Sequence, residues 1–232
     1  MGFRRWEDLP PFMKRKEVKE YYDILKRKKG ELVLKRGFDL AVASIMLVLL
    51  AIPMLMVAII IKADSPGPVF YRQERVTTYG KRFKIHKFRT MVKNADKIGP
   101  AVTVSEDARI TKIGAKIRKL RIDEIPQLLD VLAGNMSFVG TRPEAAKFVC
   151  RYKPEYLATL LMPAGITSEA SIRYKDEDRL LDGASDVDDM YVNQVLPAKM
   201  KWNLESIRYF GFLREILTMF RTLAAVLGKD YN

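Results

Sequence analysis

Residues 40–61 read LAVASIMLVLLAIPMLMVAIII, twenty-two residues without a charge. At about 1.5 Å of rise per residue this is roughly 33 Å of helix, enough for a hydrocarbon core about 30 Å thick. It lies too far from the N-terminus, behind too long a charged leader, to be a signal peptide. The stretch is therefore read as a membrane segment. Whether it crosses is a separate question. Pro53 lacks the N–H that would reach the carbonyl of Leu49, which favours a kink there. Lys35 and Arg36 precede the run; Lys62, Arg72, Arg75, Lys81, Arg82 and Lys84 follow it. Positive charge at both ends gives neither end the character of the far side. A kinked spanning helix and a re-entrant hairpin returning to one face both satisfy this composition. In either case the backbone freed at Pro53 needs polar partners.

The flanks carry the rest of the domain. Residues 14–29, KRKEVKEYYDILKRKK, predict an amphipathic helix with Val18, Tyr21, Tyr22 and Leu25 on one face. Such a helix suits an anionic membrane surface or ordinary solvent equally. Residues 64–68, DSPGP, mark a turn. Val69 to Tyr71 and Arg82 to Phe88 read as short strands, with Tyr79 and Gly80 turning between them. Ile110, Ile113, Gly114, Ile117 and Leu120 share a helical face. Residues 209–229, YFGFLREILTMFRTLAAVLGK, offer a broad apolar surface that suits a core, or alternatively a membrane interface. The expected architecture is thus α+β and mostly helical, in three parts. These are a basic extension over 1–34, a membrane helix over 35–62, and a membrane-surface domain over 63–232.

Composition narrows the chemistry. Lys and Arg number 41 against 28 Asp and Glu, a net charge of +13, which points to an anionic partner. Cys150 and His86 are each the only residue of their type. Zinc sites built from clustered Cys and His are excluded, as is any triad not centred on His86. Carboxylates are left as the reactive groups. Nucleic acid is not expected, because most aromatics sit in apolar segments rather than between basic residues.

Residues 121–144, RIDEIPQLLDVLAGNMSFVGTRPE, place Asp123 and Glu124 side by side. The local reading makes Asp123 the N-cap of a helix running to Ala133, with Pro126 in the first turn and Gly134 closing it.

Several blocks, in order, resemble the bacterial sugar transferases, the monotopic polyprenyl-phosphate phosphoglycosyl transferases. They are KRGFD (35–39), DSPGPVFYRQ (64–73), KFRTM (87–91), DARITKIG (107–114), DEIPQLLDVL (123–132) and GNMSFVG (134–140). The resemblance implies a re-entrant helix broken at Pro53, in the bacterial inner membrane, with the catalytic domain on its cytoplasmic face beside phospholipid. It implies transfer of a phosphosugar from a UDP-sugar to polyprenyl phosphate by a ping-pong route. Asp123 would be the nucleophile, and Glu124 with Asp123 would hold Mg²⁺. Arg118 and Arg142 would grip the donor's phosphates, for which a planar guanidinium is suited. Lys87, Arg89 and Asp188 are further candidates for substrate binding, and homo-oligomerisation is left open.

The chain departs from the family at Thr141, where proline is common, at Ile52, where relatives place serine, and at Thr77, where glycine is frequent. The alternative reading is a non-catalytic, membrane-attached scaffold of the same fold.

Overall fold

In the computed structural model, residues 2–95, 98, 107–174, 179–181, 184 and 186–228 are described. The helices are α1 (Lys16–Arg27), α2 (Lys29–Asp64), α3 (Lys112–Lys119), α4 (Gln127–Leu132), α5 (Ala146–Val149), α6 (Glu169–Arg173), α7 (Val187–Met190), α8 (Leu196–Arg208) and α9 (Phe212–Val226). Four strands interleave with them: β1 (Phe70–Val76), β2 (Arg82–Phe88), β3 (Met136–Val139) and β4 (Ala164–Thr167). The first two form an antiparallel hairpin in which Tyr71 faces Lys87 and Arg75 faces Phe83. Its turn needs left-handed backbone at Tyr79 (φ 58°) and Gly80 (φ 78°). The last two pair in parallel, Met136 with Ala164. The chain is mostly helical with two small sheets, as expected, although nothing in the sequence pattern signals the parallel pair.

The helix α2 decides the architecture. It runs for 36 residues through Pro53 and is long and apolar enough to cross a membrane. One face packs on the domain along its length. Val42, Met46, Leu47 and Leu50 meet a cluster of Phe83, Ile85, Leu128, Val131 and Met136. Further along, Met54, Val57, Ala58 and Ile61 meet Phe88 and Ile117. The other face, including Ile45, Val48, Leu49, Ile52, Leu55 and Ile59, is exposed.

Both ends of this helix are held by polar contacts with the same domain. At the first end, Lys35 donates to the carbonyl of Val139 at 2.9 Å, and the N–H of Phe138 donates to Asp39 at 3.3 Å. Arg36 reaches the carbonyls of Val131 and Leu132 at 2.8 and 3.3 Å, which satisfies the open end of α4. At the second end, Arg89 donates to Ser65, Pro66 and Ile61 carbonyls at 2.6, 2.7 and 3.4 Å. Gly67 makes this possible: its φ is +133°, and a Cβ there would lie 2.0 Å from the Arg89 guanidinium.

Residues 2–28 are part of the main core. Leu9, Met13, Val18, Tyr21, Tyr22 and Leu25 are buried with Tyr156, Leu160, Leu196, Met200 and Phe210. The apolar face of α1 therefore packs on protein, not on lipid or solvent; each such side chain contributes about 1.5–3 kcal/mol by leaving water. The case of α9 is the reverse. Leu213, Leu217, Phe220 and Leu223 form an exposed stripe at helical spacing, so the core reading of this segment gives way to an amphipathic surface helix.

Replacing Arg89 with Met should take a donor from the carbonyls of Ser65 and Pro66, leave that of Ile61 with only the N–H of Ser65, and destabilise the protein by about 2–4 kcal/mol. Thermal unfolding in detergent measures this, and Arg89→Lys should recover only part of the loss. An unchanged unfolding temperature for Arg89→Met would remove the capping role.

Candidate active site

The acidic pair does not sit where the sequence pattern puts it. Asp123 and Glu124 lie in a 3-10 turn, Ile122–Glu124, and α4 starts only at Gln127 with Pro126 as its N-cap. Asp123 is thus not the cap of that helix, and α4 is too short to offer an anion its N-terminus. The end of the helix is as expected: Gly134 has φ 78°, and the N–H of Asn135 returns to the carbonyl of Asp130 at 3.0 Å. Ahead of the turn, Arg121 takes left-handed backbone (φ 56°). This reversal folds the chain back from α3 and buries both carboxylates.

α3 itself is brought close by a glycine. A Cβ on Gly114 would stand 2.0 Å from the carbonyl oxygen of Thr90. The N-cap of this helix is Thr111, whose hydroxyl accepts from the N–H of Gly114. The last turn of α3 carries Arg118 toward Asp123.

The two carboxylates have opposite environments. Glu124 accepts from Arg142 at 2.6 Å and from Lys87 at 2.9 Å. Burial alone would raise its pKa, but Arg142 and Lys87, with Arg121 nearby, hold it well below the usual carboxylate range. Asp123 is equally buried, and its Oδ1 has no hydrogen-bond partner. Burial pushes its pKa up, Lys87 opposes the shift, and the charge of Glu124 adds to it. Arg118 makes no side-chain hydrogen bond among the described residues and acts on Asp123 through its charge. One carboxylate is a fixed anion; the other keeps a free, poorly stabilised oxygen.

Arg142 is aimed by backbone. The N–H of Gly140 donates to Thr167 and the N–H of Gly165 to Thr141, at 3.0 and 2.9 Å, while the N–H of Val76 donates to the carbonyl of Glu144 at 3.0 Å. Thr141 in place of a proline leaves these bonds intact. Thr77 ties three segments together. Its hydroxyl donates to the carbonyl of Asn135 at 2.6 Å and accepts from the N–H of Ala164 at 3.1 Å. A glycine could not make either bond.

The other expected residues divide. Lys87 belongs to the site through Glu124. Arg89 points the other way, with both terminal nitrogens on the carbonyls that end α2. Asp188 pairs with Lys147, and no hydrogen bond or ion pair among the described residues joins it to the acidic pair. Two residues to which the sequence assigns no role also bear on the site. Arg75 is close enough to Arg142 for their charges to repel. Tyr191, buried, donates to Glu144 at 2.6 Å, two residues beyond Arg142.

Among the described residues no three His, Cys, Asp or Glu side chains gather as a metal cluster. The donor set still fits an ion such as Mg²⁺. That ion takes one or two carboxylates and completes its shell with water and substrate phosphate, and Asp123 Oδ1 is a buried hard oxygen without a partner.

Comparison with known proteins identifies the family. The profile of the bacterial sugar transferase family matches residues 30–229. The chain is 35% identical over 197 residues to a UDP-N-acetylgalactosamine-undecaprenyl-phosphate N-acetylgalactosaminephosphotransferase of Aeromonas hydrophila, covering 84% of this chain and 44% of that protein. A UDP-glucose:undecaprenyl-phosphate glucose-1-phosphate transferase of Caulobacter vibrioides is 34% identical over 201 residues, with 84% and 70% covered. An exopolysaccharide production protein of Rhizobium leguminosarum is 43% identical over 150 residues, with 62% and 75% covered. The chain spans less than half the length of the first of these relatives.

The contrast between the carboxylates predicts opposite effects on stability. Glu124→Gln should cost about 2–4 kcal/mol, because Lys87 and Arg142 lose their shared anion. Asp123→Asn should be neutral or stabilising by about 1 kcal/mol, since it removes a buried charge with an unpartnered oxygen. Denaturation of both variants in detergent checks the ranking; the reverse order would contradict the assignment of roles.

Proposed function

The chain belongs to the bacterial sugar transferases, and we propose that it moves a sugar 1-phosphate from a UDP-sugar to polyprenyl phosphate at a membrane surface. The observation that carries this reading is the free Oδ1 of Asp123 beside a Glu124 already neutralised by Lys87 and Arg142. A scaffold would have no need of Asp123, Glu124 and Arg118 together.

In the first half-reaction an Asp123 oxygen attacks the sugar-side phosphorus of the donor. A P–O bond to Asp123 forms, the bond to the bridging oxygen breaks, and uridine monophosphate leaves with the electron pair. The product is an aspartyl phosphosugar. In the second, an oxygen of polyprenyl phosphate attacks the same phosphorus. This gives the polyprenyl diphosphosugar and frees the Asp123 carboxylate. No net proton transfer is required in either half. Arg142 and Arg118 bind phosphate oxygens and offset the repulsion between the anionic donor and the anionic nucleophile. Lys87 keeps Glu124 in place and lowers the charge Asp123 faces. Asp123 and Glu124 would hold Mg²⁺, which supplies further neutralisation of the phosphates when bound.

The membrane arrangement follows from α2. Its two ends both bond to one domain, and its exposed face is apolar from Leu40 to Ile60. A domain on one side of a bilayer cannot hold both ends of a straight spanning helix. We therefore favour a helix that enters and returns on the cytoplasmic face, bending near Pro53, with the α9 stripe on the same surface.

Purified protein supplied with Mg²⁺, radiolabelled UDP-sugars and undecaprenyl phosphate should yield labelled lipid. Without the acceptor it should carry label on the protein, and Asp123→Asn should do neither. Wild-type protein that forms no lipid product and no adduct with any donor would count against the enzyme. For topology, single cysteines on either flank of 40–61, in a Cys150→Ser background, should react from the same membrane side. Labelling from opposite sides would exclude the return.

A further inference from the structure

Of the three cations Lys87, Arg142 and Arg75, only the first two form an ion pair with a carboxylate among the described residues. The hairpin register puts Tyr71, Gln73 and Arg75 of β1 on the same face as Phe83, Ile85 and Lys87 of β2. Phe83 and Ile85 are buried, so this face is turned into the protein. Lys87 and Arg142 share Glu124. Arg75 makes its one side-chain hydrogen bond, among the described residues, to the Oε1 of Gln73.

Glu144 is near enough to attract Arg75, but no ion pair joins them. That carboxylate is committed elsewhere: it accepts from Tyr191 at 2.6 Å and has Lys199 at 3.9 Å. Arg142 repels both Lys87 and Arg75 and so lies near each of them. Along the strands, the levels of Lys87 and Arg75 lie four residues apart, about 13 Å. From these levels the long side chains of Lys87 and Arg75 can converge on two linked phosphates. Burial pushes both Lys87 and Arg75 down from their ordinary values, with Arg142 adding to the effect. A row of partly buried cations with too little counter-charge is stabilised by a polyanion.

We propose that Arg75, oriented by Gln73, is a phosphate-binding residue that grips the nucleoside-side phosphate of a nucleoside diphosphate donor, the phosphate that departs. The choice of phosphate rests on the transferase reading. Lys87 and Arg142 stand beside Glu124 and Asp123, so the sugar-side phosphorus belongs at that end of the row. The other phosphate then falls at Arg75. As the bridging P–O bond breaks, the electron pair moves onto this departing group, where a guanidinium fork can pair with two of its oxygens. Arg75 thereby contributes to binding and to expulsion of the leaving group. Arg72, three residues earlier, lies on the outer face and donates to the carbonyl of Lys84 at 3.0 Å.

Calorimetric titration of the full chain in detergent with pyrophosphate, uridine monophosphate and glucose 1-phosphate tests the proposal. Arg75→Met should weaken binding of pyrophosphate and uridine monophosphate roughly tenfold to hundredfold, and leave glucose 1-phosphate within about twofold. Arg75→Lys should recover part of the loss, and Arg72→Met should bind as wild type does. If Arg75→Met does not fold, Arg75→Gln and Gln73→Ala take its place with the same expected selectivity. Wild-type affinity for uridine monophosphate in these variants overturns the proposal, as does an equal loss for all three ligands. The adduct assay separates the two readings. Wild-type protein that forms adduct, matched by Arg75→Met at every donor concentration, removes Arg75 and keeps the transferase. Loss of pyrophosphate binding in Arg75→Met, with no adduct from wild type, keeps the anion site and removes the transferase.

Discussion

A guanidinium seated among backbone carbonyls anchors this structure. α2 ends at Asp64, and Arg89 binds the carbonyls of Ile61, Ser65 and Pro66 just as the helix stops. At the other end Lys35, Arg36 and Asp39 bond to β3 and to the last turn of α4. A long helix with one apolar face exposed gains little from water or protein on that side. Its position must come from the opposite face and from the polar contacts at its ends. β2 joins the two regions, giving Phe83 and Ile85 to the cluster under the first half of α2 and Phe88 to the cluster under the second. Lys87 sits between them, on Glu124. The strand that ties α2 to the domain thus also carries a cation into the candidate site.

Local signals in the sequence are legible because local physics settles them. The hairpin turn at Tyr79 and Gly80, the burial periodicity of α1 and the helix stop at Gly134 all depend on residues within a few positions. Direction is not legible. The same apolar pattern in α1 serves a core or a lipid surface, and residues more than a hundred positions away, Tyr156 and Leu160, decide for the core. α9 carries a similar pattern and has no such partner on its stripe among the described residues. β3 escapes a pattern-based reading because all four of its residues are buried, so it shows no alternation, and its partner strand lies far along the chain.

The site is partly legible. The family pattern points to Asp123, Glu124 and Arg142, and the structure brings Glu124 and Arg142 into contact. Lys87 and Arg89 stand together in one motif, two residues apart, yet they bond to different partners, Glu124 and the carbonyls that end α2. β2 stops at Phe88, and although the N–H of Arg89 still bonds to the carbonyl of Val69, its side chain goes to those carbonyls at the end of α2. Reading Asp123 as a helix cap fails for a related reason. Pro126 is compatible with a first turn that begins several residues on either side, and the left-handed Arg121 selects a separate 3-10 turn.

That small shift matters for the chemistry. As an N-cap, Asp123 would give its oxygens to backbone N–H groups, which stabilises the anion and lowers its pKa. In the 3-10 turn it receives no such bond, and Oδ1 stays free. Glu124, one residue on, meets two cations instead. Adjacent carboxylates in a strongly basic chain would otherwise both be neutralised and both be poor nucleophiles. Here Lys87 and Arg142 are drawn to Glu124, which leaves Asp123 as the member with an unpartnered oxygen. Arg75 is left facing the same site without a carboxylate of its own among the described residues. Each of those two groups is costly alone. A diphosphate donor offers an electrophilic phosphorus to the first and a departing anion to the second, so the same ligand would relieve both.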